Sequence, residues 1–277
     1  MLCLPRSVIV SSILSIKNFD FYAFLESQKI EKIVLQCDYT ILDYSKLSKC
    51  VYHIECDKGC WSIDPGILPI SITHLSVSNP TVCKKFNIST LPSHLTYLEI
   101  GFEIYNNFWS AIDNLPPNLE ELHVKGKFNL SCDNLPYGLK KLVIKSIMFN
   151  KSLDNLPTSL EYLEIQSESS FSNISFNSLP ECLTTLIINL KCSSANKLVL
   201  SKLPNSLKNL TLNNRNTDFE IKFPESLEIL DITTNLHNLA FDILPNLPSA
   251  LKAIKLGRGK TENLNYIKKK YPDVIII

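Results

Sequence analysis

The stretch Leu91-Pro92-Ser93-His94-Leu95-Thr96-Tyr97-Leu98-Glu99-Ile100 decides how the chain is read. Its pattern, L-P-x-x-L-x-x-L-x-[ILV], also starts at Leu68, Leu115, Leu135, Leu156, Leu179, Leu203, Phe223 and Leu247, giving nine copies spaced 20 to 24 residues apart. Leu98 and Ile100 are two apart, the period of a strand, so they share one face while Tyr97, Glu99 and Gly101 share the other. The proline locks φ near −65° and lacks an N–H, so each copy enters through an extended, non-helical turn where no ladder bond is required. The segments between copies carry no 3.6-residue periodicity, which argues against long helices. One such unit cannot bury its apolar side alone; neighbours must stack about 4.8 Å apart into a parallel sheet, with its Leu/Ile side inside.

The repeat length lies in the leucine-rich-repeat range. The expected fold is therefore an α/β repeat: a leucine-rich-repeat solenoid with a curved parallel sheet, a mostly irregular or 3-10 convex side and short helical caps. The linking segments recur too, as Phe86-Asn87-Ile88, Phe128-Asn129-Leu130, Phe149-Asn150-Lys151 and Phe176-Asn177-Ser178. With these doublets the run Phe149-Asn-Lys-Ser-Leu-Asp-Asn-Leu-Pro-Thr-Ser-Leu-Glu-Tyr-Leu-Glu-Ile165 resembles the FNIP repeat, a leucine-rich variant of social amoebae and of giant viruses of amoebae. The resemblance spans roughly residues 67 to 256. It departs from the family in lacking the proline after Phe-Asn-Ile, and Phe108, Phe171 and Phe219 match only the aromatic. The Leu-Pro-x-x-Leu half is also similar to the repeats of bacterial type III effectors. Neither family is tied to one activity, so the resemblance implies an interaction module of viral or amoebal type and no particular chemistry.

Solenoid ends need caps. Residues 1–66 read as an N-terminal cap and divergent repeats, 67–256 as the nine repeats and 257–277 as a C-terminal cap, all in one continuous solenoid domain. Asp20 can cap a short helix over Phe21 to Gln28, and Ile30, Ile33 and Leu35 keep the strand spacing without Leu-Pro. Leu47 to Ile54 is expected to place Tyr52 and Ile54 one repeat before Leu75 and Val77, making eleven strands before the C-terminal end. There, Asn263 to Tyr271 reads as a helix stopped by Pro272, followed by a short apolar strand at Val274 to Ile277.

Of the 277 residues 45% are hydrophobic, ample for a core, and the formal charge of +1 supplies no global field for nucleic acid or an anionic membrane. No run of 18 apolar residues occurs, and Met1 to Ile16 has Arg6 within its apolar stretch and no basic segment before it, unlike a secretory leader. Nine cysteines, odd in number and dispersed, suggest reduced, mostly buried thiols in a cytoplasmic protein, in the host cell if the source is a virus. Cys50, His53, Cys56 and Cys60 suggest zinc by type, but on a strand Cys50 and Cys56 face away from His53 and the set does not converge. Seven glycines form no phosphate-binding or nucleophile-elbow motif, and no H-E-x-x-H occurs, so no enzyme, metal or cofactor is expected.

Alternation lets the concave columns be named in advance. The column between the two core residues reads Ser76, Glu99, His123, Val143, Glu164, Ile187, Thr211, Asp231, Lys255; the one before it reads His74, Tyr97, Glu121, Lys141, Tyr162, Thr185, Asn209, Ile229, Ala253. Glu99 beside His123, and Glu121 beside Lys141, can pair across strands. Tyr97, Tyr162, Val143, Ile187 and Ile229 are more apolar than a solvated face requires, and with Glu99, Glu121, His123 and Glu164 they are the candidate partner-binding residues. The reading that follows is a protein-binding scaffold with no small-molecule substrate and no membrane. Two others stay open: a ubiquitin-ligase substrate adaptor recruiting through residues 1–66, and nucleic-acid binding through Lys125, Lys127, Lys140, Lys141, Lys145 and Lys151, which the absence of a continuous basic stripe disfavours.

Overall fold

The structure, a computed structural model, describes residues 6–11, 20–36, 42–57, 64–78, 87–102, 112–169, 173–190, 198–214, 219–232, 246–256 and 261–277. The chain divides into two compact units, Met1–Lys127 and Phe128–Ile277.

Unit 1 is built on β1 (Ser7–Val10), β2 (Lys32–Leu35), β3 (His53–Cys56), β4 (His74–Val77), β5 (Tyr97–Phe102) and β6 (Glu121–Gly126), each parallel to the next in chain order. The repeat aligns its core residues in register: Ile33, Ile54, Leu75, Leu98 and Leu122 form one buried row, and Leu35, Cys56, Val77, Ile100 and Val124 another. A third row, Ile30, Val51, Ile72, Leu95 and Leu119, lies just before the strands and is also buried. Each such Leu is set by the turn before it: the Pro92 carbonyl accepts from Leu95 N–H at 3.1 Å, and Pro116 from Leu119 at 3.1 Å. Proline thus spends its one backbone acceptor on the turn and needs no donor there. The helix α1 (Phe21–Ser27) starts at Asp20, whose carboxylate accepts from Ala23 N–H at 3.1 Å, and buries Phe21 and Leu25.

Two expectations for this end are corrected. Ile54 pairs with Leu75 and Cys56 with Val77, so the β3 core residues are Ile54 and Cys56 rather than Tyr52 and Ile54. The cause is Ser48, which stands where other copies carry proline: its carbonyl accepts from Val51 N–H at 2.9 Å, and Leu47-x-x-x-Val51-x-x-Ile54-x-Cys56 is a further copy with Cys as its last core residue. The second is β1 itself. Within the N-terminal cap, strand spacing is expected only from Ile30 to Leu35 onward, yet Val8 and Val10 pair with Ile33 and Leu35, so the sheet begins one strand earlier.

In unit 2, β7 (Lys141–Ser146), β8 (Tyr162–Ser167), β9 (Thr185–Leu190), β11 (Asn209–Asn214), β13 (Ile229–Ile232), β14 (Ala253–Leu256) and β15 (Ile275–Ile276) form a parallel sheet in that order. The helix α2 (Thr261–Lys270) connects the last two strands and ends before Pro272. The return side is less irregular than expected. Between main-sheet strands, β10 (Leu198–Leu200) and β12 (Phe219–Ile221) pair in parallel as a second, two-stranded sheet, with Leu198 and Leu200 buried. In unit 1 the same side carries 3-10 turns at Tyr44–Lys46, Pro65–Ile67 and Ile88–Thr90, as expected. They are capped by Asp43, Asp64 and Asn87, each side chain accepting the N–H two residues on. The architecture is a leucine-rich-repeat solenoid: parallel strands stacked by repeat, with few helices.

Candidate functional site

Side chains alternate along each strand, so the sheet has one face in the core and one open face, and the register confirms the two open columns read from the sequence. In unit 1 the first column runs Ser7, Lys32, His53, His74, Tyr97, Glu121 and the second Ile9, Val34, Glu55, Ser76, Glu99, His123. In unit 2 the corresponding columns begin Lys141, Tyr162, Thr185, Asn209, Ile229, Ala253 and Val143, Glu164, Ile187, Thr211, Asp231, Lys255.

On unit 1 these columns bring rings together. His74 and Tyr97 stack at 5.4 Å with planes 15° apart, His53 lies 5.8 Å from His74, and His123 lies 5.2 Å from Tyr97. Tyr52 closes edge-on against His74 at 5.2 Å. Neighbouring strands stand near ring-stacking distance, so aromatic residues at one register position must meet. The polar tips are engaged: Tyr97 donates to Glu99 at 3.2 Å, His123 Nε2 meets Glu121 Oε1 at 2.6 Å, and His53 Nε2 meets Ser76 Oγ at 3.2 Å. Glu99 also holds Lys125 Nζ at 2.8 Å and lies 3.9 Å from His123 Nδ1, so the expected Glu99–His123 pairing is present. Lys32 pairs with Glu55 across β2 and β3. Burial among the rings, then the neighbouring Lys32 and His74 charges, depress His53 to about 4, and burial lowers His74 as well. Both shifts favour the neutral imidazole. Burial and the Glu99 carboxylate push the Tyr97 phenol above its ordinary range.

Sequence reasoning named Tyr97, Glu99, Glu121 and His123 and missed His53 and Tyr52. The signal for His53 was present: aligning Leu47 with Leu68 at an offset of 21 puts His53 opposite His74. On unit 2, Tyr162 repeats the Tyr97 arrangement, donating to Glu164 at 3.0 Å, with Lys145 on that carboxylate at 3.0 Å and Lys141 5.3 Å over the ring. Ile187 is partly covered and Ile229 is 44% exposed. Val143 is corrected. It holds its open-face register opposite Glu164 but is 2% exposed, since a short branched side chain on a face of longer ones is readily covered.

The cysteine expectation is corrected in part: Cys56 and Cys132 are buried, but Cys50 and Cys182 are exposed. Cys50 precedes β3 rather than lying on it, and Cys60 lies outside the described residues, as do Phe86, Phe108 and Phe171. Among the described residues no group of three His, Cys, Asp or Glu could hold a metal ion, and no helix is long and apolar enough to cross a membrane.

The model of the FNIP Repeat family matches residues 62–103, the segment that runs from the turn before β4 through β5. The repeat is of the FNIP, leucine-rich type. Two solved structures are similar at 21% identity. One is CroV588, described as a novel circular LRR protein structure, with a TM-score of 0.35, covering 84% of this chain and 44% of that one. The other is YopM from Yersinia enterocolitica WA-314, with a TM-score of 0.41, covering 83% of this chain and 56% of that one. The chain thus spans about half the length of each. No curated protein sequence matches it.

The FNIP doublets have separate physical roles in unit 2. Phe128 and Phe149 stack inside, fully buried, with centroids 5.9 Å apart and planes within 4°. Asn129 accepts from Asn150 N–H at 2.9 Å and Asn150 from Asn173 N–H at 3.0 Å, an asparagine ladder that satisfies return-side backbone. Ser146 and Ser167, both buried, donate to the carbonyls of Phe128 and Phe149 at 2.6 and 2.8 Å. These contacts give the doublets a structural role.

Proposed function

We propose that this protein is a non-catalytic scaffold that binds another protein on the open face of its parallel sheet. The observation that carries the reading is the His53–His74–Tyr97–His123 ring cluster: half-buried aromatic surface on a sheet face, with the Lys32–Glu55 and Lys125–Glu99 pairs at its margins. An aromatic centre within a polar rim is the anatomy of a protein interface. Tyr162, Glu164, Ile187 and Ile229 offer a second stretch of the same kind of surface on unit 2. The repeat type supports the reading because each added strand extends a continuous face without changing the core.

Two features weigh against the rival readings. Lys125 and Lys145 are each tied to a carboxylate on a neighbouring strand, so the lysines do not form a bare stripe for phosphates. Before residue 67 the described residues form β1, β2 and β3 and a seven-residue α1, not a helical unit that could recruit a ligase. Among the described residues Cys50 and Cys182 are exposed thiols outside any disulfide, which supports the cytoplasmic, reducing location read from the cysteine pattern. The test is affinity capture from the native cytosol with the wild-type chain beside Tyr97→Ala/Tyr162→Ala, both checked by circular dichroism. Loss of a captured protein in the variant places binding on the open face; retention moves it to the return side; capture of nothing by either chain favours a purely structural role.

A further inference from the structure

We propose that the His53–His74 pair is a proton-operated switch: when both imidazoles are charged, the aromatic strip on the open face of unit 1 comes apart while the sheet beneath it holds. That the strip is a binding surface rests on the scaffold reading; the switch itself does not. His53 and His74 share one register position on adjacent strands, with ring centroids 5.8 Å apart. His74 is enclosed by rings, Tyr52 edge-on at 5.2 Å and Tyr97 stacked at 5.4 Å, and His53 lies 6.1 Å from Tyr97. The polar contacts of both are to hydroxyls: His53 Nε2 meets Ser76 Oγ at 3.2 Å, and His74 Nδ1 meets Thr73 Oγ1 at 2.8 Å. His123, by contrast, meets the Glu121 carboxylate directly. The charged and titratable groups around His53 are Lys32 on β2, Glu55 on its own strand, His74 on β4, and Tyr97 and Glu99 on β5. Those around His74 are His53 and Tyr52 on one side, Tyr97 on the other and Glu121 on β6.

A hydroxyl accepts a hydrogen bond from an imidazolium but brings no charge to balance it. The first proton to reach the pair raises the cost of the second, because two like charges then stand on neighbouring strands where rings exclude water. Burial, Lys32 and the neighbouring imidazole hold His53 down to about 4, and burial lowers His74; Glu99 and Glu121 pull the other way without outweighing burial. Swinging a ring into water restores its ordinary affinity, so protons bind the open strip more tightly than the closed one and acid favours opening. The core rows stay out of reach of that charge: Ile33, Ile54, Leu75 and Leu98 are fully buried on the opposite face of the same strands.

The full-length chain is titrated from pH 7.5 to 4 and followed by the ring proton signals of Tyr97, His53 and His74, with far-ultraviolet circular dichroism recording the sheet. The expected result is that the Tyr97 signals, displaced by the His74 ring stacked on them, hold until His53 takes up its proton and then shift with it toward solvent-exposed positions, at constant dichroism. In His53→Gln, which keeps the His74–Tyr97 stack and every carboxylate, the Tyr97 signals should stay in place over the same range. Three outcomes would overturn the proposal: Tyr97 signals that stay fixed although both imidazoles are protonated, signals that move only as the dichroism is lost, or signals that move equally in a folded His53→Gln. The last would trace the movement to Glu99, which accepts from the Tyr97 phenol. The first two are read on the wild-type chain, so they do not depend on the variant's folding. No partner enters the experiment: its failure leaves the scaffold reading standing, and failure to capture a partner leaves the switch standing.

Discussion

Acidification should destabilise the protein through His53 before its carboxylates titrate. The imidazole has an ordinary value of 6.5 and is depressed to about 4 in the folded chain, by burial first and by Lys32 and His74 next. A folded histidine with a depressed value binds fewer protons than its unfolded counterpart between those two pH values, so stability must fall as pH drops through that window and be fully present above it. Between pH 7 and pH 5 the difference would reach about 2 kcal/mol for a fully shielded group, and solvent screening at this partly exposed site reduces it to about 1 kcal/mol. The protein as a whole should then lose about 2–4 °C of melting temperature from this residue alone. His53→Gln keeps a polar side chain of similar length that does not titrate. The assay is thermal unfolding of both chains at half-unit steps from pH 7.5 to 5, with the His53 Cε1–H shift followed over the same range. The variant should show the shallower loss, and the His53 signal should stay at its neutral position down to pH 5. Identical pH profiles for the two chains, or a His53 midpoint near 6.5, would refute the argument.

Gly101→Ala should cost about 2 kcal/mol in urea unfolding, because a Cβ there would lie 2.1 Å from the Ser78 carbonyl oxygen and the backbone has to move. A cost no larger than that of an exposed alanine substitution would show that the strand absorbs the contact. In the asparagine ladder, Asn150→Ala removes the acceptor of Asn173 N–H and should cost about 1–2 kcal/mol, whereas Asn150→Asp keeps an acceptor and should recover most of it in the same unfolding assay. Of the described cysteines, Cys50 and Cys182 should react with iodoacetamide in the folded protein while Cys56 and Cys132 resist until it unfolds. Cys132 should resist at alkaline pH as well, its thiol pushed up to about 12 by burial and by Asp133. Peptide mass mapping before and after denaturation reads both.

Much of this molecule was legible in the linear chain because a repeat protein makes only neighbour-to-neighbour contacts. Leu-Pro-x-x-Leu-x-x-Leu-x-Ile fixes turn, strand and inward face within ten residues, and the spacing of copies then dictates which residues share a column. Tyr97, Glu99, Glu121 and His123 were placed on one surface by that arithmetic alone. Where a copy diverged, the arithmetic slipped: Ser48 does the turn work of proline through its carbonyl, so the expected β3 is two residues out, with Tyr52 in the core row and His53 opposite Ser76 instead of His74. Tertiary structure decided what periodicity cannot carry. Packing buried Val143, although its backbone register is that of an exposed residue. The pairing of β10 with β12 needed two return segments brought to one depth, which no local pattern announces. The low proton affinity of His53 arises only when rings from three strands exclude water together. Face and register follow from local sterics and a period of two, whereas burial and electrostatics depend on neighbours about twenty residues away in sequence.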